Sequence, residues 1–220
     1  MSTASVPVAS TSAAAVEDAN DGDEGARGRR VHFDRRRQAL AIRVDQADFY
    51  VSAQPNEYLS TVLGSCIAVC MRDPEVLCGG MSHFALPEDT GVLEPLPGLQ
   101  LRYGAYAIER LINALAARGA LRKRLEVKVF GGANVIASGT PIGFRNAEFV
   151  ERYFAREGIP IAASHMRGHS GRKVLYFPAT GKALVRLLTP DAVPRLARHE
   201  SEIERKVREM PAAGMTTIFR

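Results

Sequence analysis

Two apolar runs joined by a short turn constrain the fold of this chain more than any other feature. Residues 66–72 and 79–86 are rich in small and branched apolar side chains, and Asp-Pro and Gly-Gly dipeptides bracket the turn between them. This pattern is typical of an antiparallel β-hairpin with a loop of several residues. We expect the turn to be centred near Glu75 or Val76.

The register of this hairpin predicts a thiol next to an imidazole. Cys66 would lie opposite a position near 83 or 85, so Cys66 and His83 share one face, ~5–8 Å apart between Cβ atoms. A thiolate is a nucleophile, and a nearby imidazolium lowers the pKa of a thiol and can protonate a leaving group. A shift of one residue would separate the pair. The alternative is that Cys66 is only a buried small apolar residue.

Residues before the cysteine can complete a catalytic site. Gly64 and Ser65 permit a tight turn in which backbone N–H groups face a developing oxyanion. Ser60 and Thr61 both carry hydroxyl groups that can orient the histidine. The sequence does not distinguish between these two hydroxyl residues.

The remaining cysteines and histidines carry weaker signals. We interpret Cys70 and Cys78 as buried residues that behave as small apolar side chains. The alternative is a zinc site that uses these two cysteines and His83, although the chain lacks the paired C-x-x-C spacing typical of such sites. His165 and His169 flank a glycine and are predicted to lie at the surface or in a loop.

Two further segments are predicted to be loops. Gly131 and Gly132 follow a predicted strand but lack the residues of a P-loop, so we expect them to shape a pocket. Residues 171–173 read as a basic turn, either solvated or in contact with an acidic partner.

Periodicity predicts a mixed layered fold. Strands are expected at 40–44, 66–72, 79–86, 125–130, 159–164, 174–177 and 183–188. Helices are expected at 103–118, from Asn146 as N-cap to Gly158, and from Pro190 toward Met210. Strands and helices in this order indicate an α/β or α+β layered sandwich, with mixed β-sheets flanked by helices.

Composition adds the expected domain organisation. We predict a disordered N-terminal tail at 1–38, because the start of the chain is small, polar and charged, then one domain at 39–210 and a C-terminal tail at 211–220. Although the net charge is +5, acidic and basic residues alternate in the helical stretches, which argues against nucleic-acid binding. No uncharged apolar run approaches ~20 residues, so membrane insertion is not expected. Three cysteines cannot form a disulfide framework, which favours a cytoplasmic protein with reduced thiols.

Six motifs in a fixed order resemble those of the CheD family, the chemoreceptor glutamine deamidases of bacterial and archaeal chemotaxis. The resemblance covers about 47–188. The motifs are Leu63-Gly64-Ser65-Cys66, Gly80-Met81-Ser82-His83-Phe84-Ala85-Leu86-Pro87, Tyr103-Gly104-Ala105-Tyr106-Ala107, Lys128-Val129-Phe130-Gly131-Gly132-Ala133-Asn134, Ile142-Gly143-Phe144-Arg145-Asn146 and Gly171-Arg172-Lys173.

The resemblance implies a cysteine hydrolase fold with Cys66 as nucleophile and His83 as general base and acid. The third catalytic residue of the family is a threonine six positions before the cysteine, which falls on Ser60 here, with Thr61 adjacent. Gly64, Ser65, Gly131 and Gly132 would form the oxyanion and substrate loops. No cofactor or metal is implied.

The resemblance also implies the substrate and the partners. The substrate would be specific glutamines on the cytoplasmic helices of methyl-accepting chemoreceptors, with methyl-ester hydrolysis as a side activity. A CheC-like phosphatase would be a further partner. The alternative is a docking module that binds receptors or such a phosphatase without turnover. Phe144 and residues 165–168 depart from the family pattern.

Overall fold

A computed structural model of the chain describes residues 24–25, 29–85, 99–135 and 141–189. Within these residues the strands are β1 Glu24–Gly25, β2 Arg29–Asp34, β3 Ala39–Arg43, β4 Phe49–Ser52, β5 Glu57–Leu63, β6 Ile67–Asp73, β7 Cys78–Phe84, β8 Glu126–Gly131, β9 Ile161–Met166, β10 Arg172–Phe177 and β11 Lys182–Leu187. The helices are α1 Leu99–Ala116 and α2 Ile142–Arg156, with a 3₁₀ turn at Arg122–Arg124.

The strands form two mixed sheets. The outer sheet has the order β1-β2-β3-β5-β10-β11, and the central sheet has the order β4-β7-β6-β8-β9. Only β3 with β5 and β8 with β9 pair in parallel among the described strands. The expected α+β sandwich with mixed sheets and flanking helices is confirmed.

The central sheet is buried on both faces. Along β6, Ala68 and Cys70 face the outer sheet, whereas Val69 and Met71 pack against the helical layer. Because both faces are covered, β6 and β7 have apolar residues at successive positions rather than an alternating pattern. The layers are therefore outer sheet, central sheet and helices, with one core on each side of the central sheet.

The β6–β7 hairpin has the predicted turn. Asp73 pairs with Cys78 at the closed end, and Ala68 lies opposite His83 further along the ladder. The turn is therefore at residues 74–77, where the sequence predicts it. This register fixes which side chains of the two strands share a face.

A buried carboxylate holds the closed end of the hairpin. Asp73 has a fully buried side chain and accepts hydrogen bonds from the N–H groups of Glu75 and Leu121 and from Nε of Arg124, at 2.9, 2.9 and 2.7 Å. Burial opposes ionisation, but the hydrogen bonds, from Arg124 first, outweigh it and lower the pKa of Asp73 to about 2.

All seven predicted strands are present, with ends shifted by at most two residues. The sequence analysis missed β1, β2, β4 and β5. Within the segment predicted to be a disordered tail, Glu24–Gly25 and Arg29–Asp34 form strands, and the second pairs with β3, with Val31 opposite Ile42 and Phe33 opposite Leu40. The arginine-rich composition of this segment gave no pattern that indicates a strand.

The helices also differ from the prediction in part. The apolar stripe of α1 is buried as expected, at Ile108, Leu111, Ile112 and Leu115. The predicted N-cap of α2 is wrong, because the helix starts at Ile142 after Pro141, and Asn146 is a buried residue within it. The helix predicted from Pro190 lies outside the described residues, and so do the ends of the tails. No helix among the described residues is both long and apolar enough to cross a membrane.

Candidate active site

His83 is held in one orientation through its Nδ1 atom. The imidazole is buried on β7, and Nδ1 lies 2.9 Å from Oγ1 of Thr61 and 3.2 Å from the backbone oxygen of Val44. A carbonyl oxygen can only accept a hydrogen bond, and a hydroxyl oxygen can also accept one. Both contacts therefore fit a ring that carries its proton on Nδ1, which assigns the lone pair to Nε2.

The structure distinguishes the two candidate hydroxyl residues. Thr61 lies on β5 of the outer sheet and reaches across to His83 on the central sheet. Ser60 is its neighbour on the same strand, so its side chain points to the opposite face. Ser60 pairs with Arg43 on one side and Leu175 on the other. Thr61 is therefore the hydroxyl residue that contacts the histidine.

Cys66 lies directly before β6, on the same face as the histidine. It belongs to the core cluster between the two sheets together with Ala68, the residue opposite His83. Its side chain is 1% exposed. Cys66 and His83 are thus diagonal neighbours on the face that the sequence predicts, because the turn is where the Asp-Pro dipeptide indicates it.

The backbone before Cys66 is fixed by three carbonyl contacts. The oxygens of Gly64, Ser65 and Cys66 accept hydrogen bonds from Ala133 N–H, Asn146 Nδ2 and Gly132 N–H, at 2.8, 2.9 and 2.8 Å. In a trans peptide the next N–H points opposite to the carbonyl. The N–H groups of Ser65 and Cys66 therefore point away from the 131–133 loop and from α2.

The glycine loop predicted to bind the oxyanion or substrate has a different contact. Gly132 donates its N–H to the oxygen of Cys66, so this loop holds the backbone of the cysteine. Gly131 has a φ of +112°, and a Cβ atom there would lie 2.0 Å from the Cys66 oxygen. Only glycine permits this close approach.

A loop that sequence analysis missed covers the site. Residues 44–48 contribute the Val44 oxygen to His83, and Gln46 Oε1 accepts a hydrogen bond from Cys66 Sγ at 3.4 Å. Ala47 donates its N–H to the His83 oxygen at 2.8 Å. The segment reads as an ordinary polar loop, and no local pattern in it indicates a site.

The other two cysteines lie within the strands of the hairpin, Cys70 in β6 and Cys78 opposite Asp73 at its closed end. Cys70 and Cys78 are buried, and burial raises the pKa of both thiols. Among the residues that the structure describes, no group of three or more His, Cys, Asp and Glu side chains could hold a metal ion.

Arg172 and His165 differ from their predicted places in a basic turn and in a surface loop. Arg172 is 1% exposed and donates to the backbone oxygens of His165, Arg167 and Ser170, so it is not a solvated turn residue. Burial lowers its pKa to about 10. His165 is a half-buried residue of β9, and burial, with Arg172 nearby, lowers its pKa, whereas His169 is exposed. Arg172 therefore orders the connection between β9 and β10.

Comparison with known proteins agrees with the sequence resemblance. The family model described as CheD chemotactic sensory transduction matches residues 85–187. A protein named probable chemoreceptor glutamine deamidase CheD from Rhodopseudomonas palustris is 46% identical over 190 residues, which covers 86% of this chain and 89% of the relative. Proteins of the same name from Caulobacter vibrioides and Cupriavidus pinatubonensis are 46% and 49% identical, and the alignments cover 76% and 73% of this chain and 88% and 75% of the relatives.

One solved structure is similar over part of its length. The crystal structure of Neisseria meningitidis protein NMB0706 aligns with 59% of this chain and 63% of its own, at 10% identity and a TM-score of 0.36. The sequence relatives are aligned over most of both chains at nearly half identity, and they show that this chain belongs to the CheD family.

Proposed function

We propose that this protein hydrolyses the side-chain amides of specific glutamines on methyl-accepting chemoreceptors, in the cytoplasm, and leaves glutamates. The names of its relatives support this activity. The single observation that carries the proposal is the buried imidazole of His83, held through Nδ1 by Thr61 and Val44 on the face that also carries Cys66. A thiol next to an oriented imidazole is suited to acyl transfer.

In the first half-reaction, Cys66 loses its proton to Nε2 of His83, and the thiolate attacks the amide carbon. The carbonyl π electrons move to oxygen, and the N–H groups of Ser65 and Cys66 donate to that oxyanion. These N–H groups point away from the supporting loop, because the carbonyls of Gly64 and Ser65 are bound on the other side. The imidazolium then protonates the leaving nitrogen, ammonia departs and a thioester remains.

In the second half-reaction, water replaces the amine. His83 removes a proton from the water, the hydroxide attacks the thioester carbon, and the thiolate leaves and recovers its proton. The product is a glutamate carboxyl group on the receptor. Thr61 and the Val44 oxygen orient the ring throughout and do not exchange protons with the substrate. A methyl ester can follow the same path with methanol as the leaving group.

The substrate and partner assignments are part of the proposal. Receptor cytoplasmic helices present the glutamines, and a CheC-like phosphatase binds at the same site as a regulator. A docking module without turnover is the competing function, because Cys66 is 1% exposed and its thiol is hydrogen-bonded to Gln46.

Peptide mass spectrometry on a receptor cytoplasmic fragment tests the proposal. The fragment is incubated with wild type, Cys66→Ala and His83→Ala, and with Cys70→Ala as a matched control in which a different buried thiol is lost. We expect glutamine-to-glutamate conversion with wild type and Cys70→Ala only. Binding of the fragment without conversion by wild type would refute the deamidase and favour docking.

A further inference from the structure

The buried thiol of Cys66 already contacts a carboxamide from its own chain. Cys66 Sγ donates to Gln46 Oε1 at 3.4 Å. Gln46 is partly exposed, whereas Cys66 is 1% exposed. The group that accepts a hydrogen bond from the candidate nucleophile is thus chemically the same as the group proposed to react with it.

The backbone of residues 44–48 is anchored by hydrogen bonds to neighbouring strands. Ala47 donates its N–H to the His83 oxygen, and His83 donates its own N–H to the Asp48 oxygen at 3.0 Å. Val44 donates its N–H to the Ser60 oxygen at 2.9 Å. Ala47 has a φ of +66°, a conformation that a non-glycine residue keeps only when its surroundings impose it. The loop backbone is therefore held in place, and the Gln46 side chain is the part of it that contacts the thiol.

We infer that Gln46 is an internal stand-in for the substrate glutamine, and that the receptor glutamine displaces its carboxamide from the Cys66 thiol. The inference rests on the proposed function, since a carboxamide imitates the substrate only if the substrate is a carboxamide. Gln46 presents its oxygen to the S–H group, which is a hydrogen-bonding geometry, whereas attack needs the carbon at the sulfur. The stand-in is therefore held and not consumed.

Alkylation of Cys66 by iodoacetamide tests the shielding without requiring turnover. The variants are Gln46→Ala, which removes the cover, and Gln46→Leu, which keeps an apolar cover without the amide oxygen. Gln54→Ala is the matched control, because Gln54 is an exposed glutamine on the next loop. We expect about fivefold faster alkylation of the Cys66 peptide in Gln46→Ala, the factor for losing one hydrogen bond, and an unchanged rate in Gln54→Ala. The expected rate for Gln46→Leu lies between the two. An unchanged rate in Gln46→Ala would overturn the inference.

Steady-state kinetics on a receptor cytoplasmic fragment test the competition. Removal of an internal competitor lowers KM about fivefold in Gln46→Ala and leaves kcat unchanged. A lower kcat at constant KM would instead make Gln46 a residue that positions the thiol, and would overturn the stand-in. Conversion of Gln46 itself to glutamate in wild type, absent from Cys66→Ala, would also overturn it.

The two proposals fail in different ways. If wild type leaves every receptor glutamine intact, the proposed function is refuted, and the stand-in is refuted with it. If wild type converts the receptor but Gln46→Ala shows unchanged KM and unchanged alkylation, the stand-in alone is refuted.

Discussion

The two ends of the β6–β7 hairpin are built from different chemistry. At the closed end, buried Asp73 is surrounded by N–H donors and the guanidinium of Arg124. At the open end, His83 is held by a hydroxyl and a backbone carbonyl, and Cys66 contacts a carboxamide. One end of the hairpin is fixed by charge, and the other is fixed by neutral polar groups.

This difference separates stability from chemistry within one hairpin. A carboxylate with full hydrogen bonding resists protonation and locks the turn, which fixes the register between Ala68 and His83. Neutral partners orient the imidazole without placing a fixed negative charge beside the thiol. Substitutions at the closed end should therefore reduce stability, and substitutions at the open end should reduce turnover.

Loss of the nucleophile should give the largest effect. Cys66→Ala is expected to lower kcat at least ~10⁴-fold, because no other group can form the thioester. Cys70→Ala, at a buried thiol of β6 in the same core cluster, should keep kcat and lose ~1 kcal/mol of unfolding free energy through a small cavity. Deamidation assays and urea unfolding of both variants measure this. If Cys66→Ala keeps its turnover, Cys66 is not the nucleophile, and the open end of the hairpin is not the catalytic site.

Gly131→Ala should damage the open end through the backbone. A Cβ atom at Gly131 meets the Cys66 oxygen at 2.0 Å with φ at +112°, so we expect a loss of ~3 kcal/mol or more. Gly158→Ala is the matched control, since its φ is +65° but a Cβ atom there meets nothing within 4 Å. That control should lose only ~1 kcal/mol. Equal losses in urea unfolding would show that φ strain, rather than the approach to Cys66, is decisive.

Asp73→Asn should destabilise the closed end by ~2–3 kcal/mol, because Arg124 loses a charged partner and buried N–H donors lose an acceptor. Glu75→Gln removes a largely exposed partner of the same arginine and should cost no more than ~0.5 kcal/mol. The kcat of both variants should equal that of wild type at temperatures where they are folded. A reduced kcat in folded Asp73→Asn would show that the closed end affects turnover as well as stability.

Thr61→Ala should lower kcat about tenfold, the factor for losing one orienting hydrogen bond. Ser60→Ala should leave kcat unchanged, and Thr61→Ser should restore most of the loss because the hydroxyl is kept. Kinetics on a receptor fragment distinguish the three variants. If Ser60→Ala is the slower variant, the geometry at His83 is not the one that acts in solution.

The stability of the closed end should also depend on acid pH. The pKa of Asp73 is lowered from 3.8 to about 2 in the folded state, so its contribution is complete above the unfolded value and is lost as pH falls toward 2. Urea unfolding of wild type and Asp73→Asn should show a gap that is constant near neutral pH and closes in this range. A gap independent of pH would mean that the carboxylate is not the stabilising species.

The sequence predicts the open end only as far as local rules reach. The Asp-Pro dipeptide locates the turn, and period-two alternation then places Cys66 and His83 on one face. The same rules predict the α1 stripe, because i, i+3, i+4 spacing is a local property. They fail for Asn146, which does not cap the helix. Its side chain lies within the helix and donates a hydrogen bond to the Ser65 oxygen.

The choice between Ser60 and Thr61 shows where local rules end. Both residues fit one strand, but only the packing of the outer sheet on the central sheet decides which face meets the histidine. The same packing brings Gln46 to the thiol, although 20 positions separate it from Cys66, and buries Arg172 among backbone carbonyls. Local sequence rules are enough to predict the hairpin, its register and the thiol–imidazole pair, because those depend on neighbours along one chain segment. The hydroxyl partner, the carboxamide contact and the supporting glycine loop follow only from tertiary packing, because each of these is a contact between separate elements.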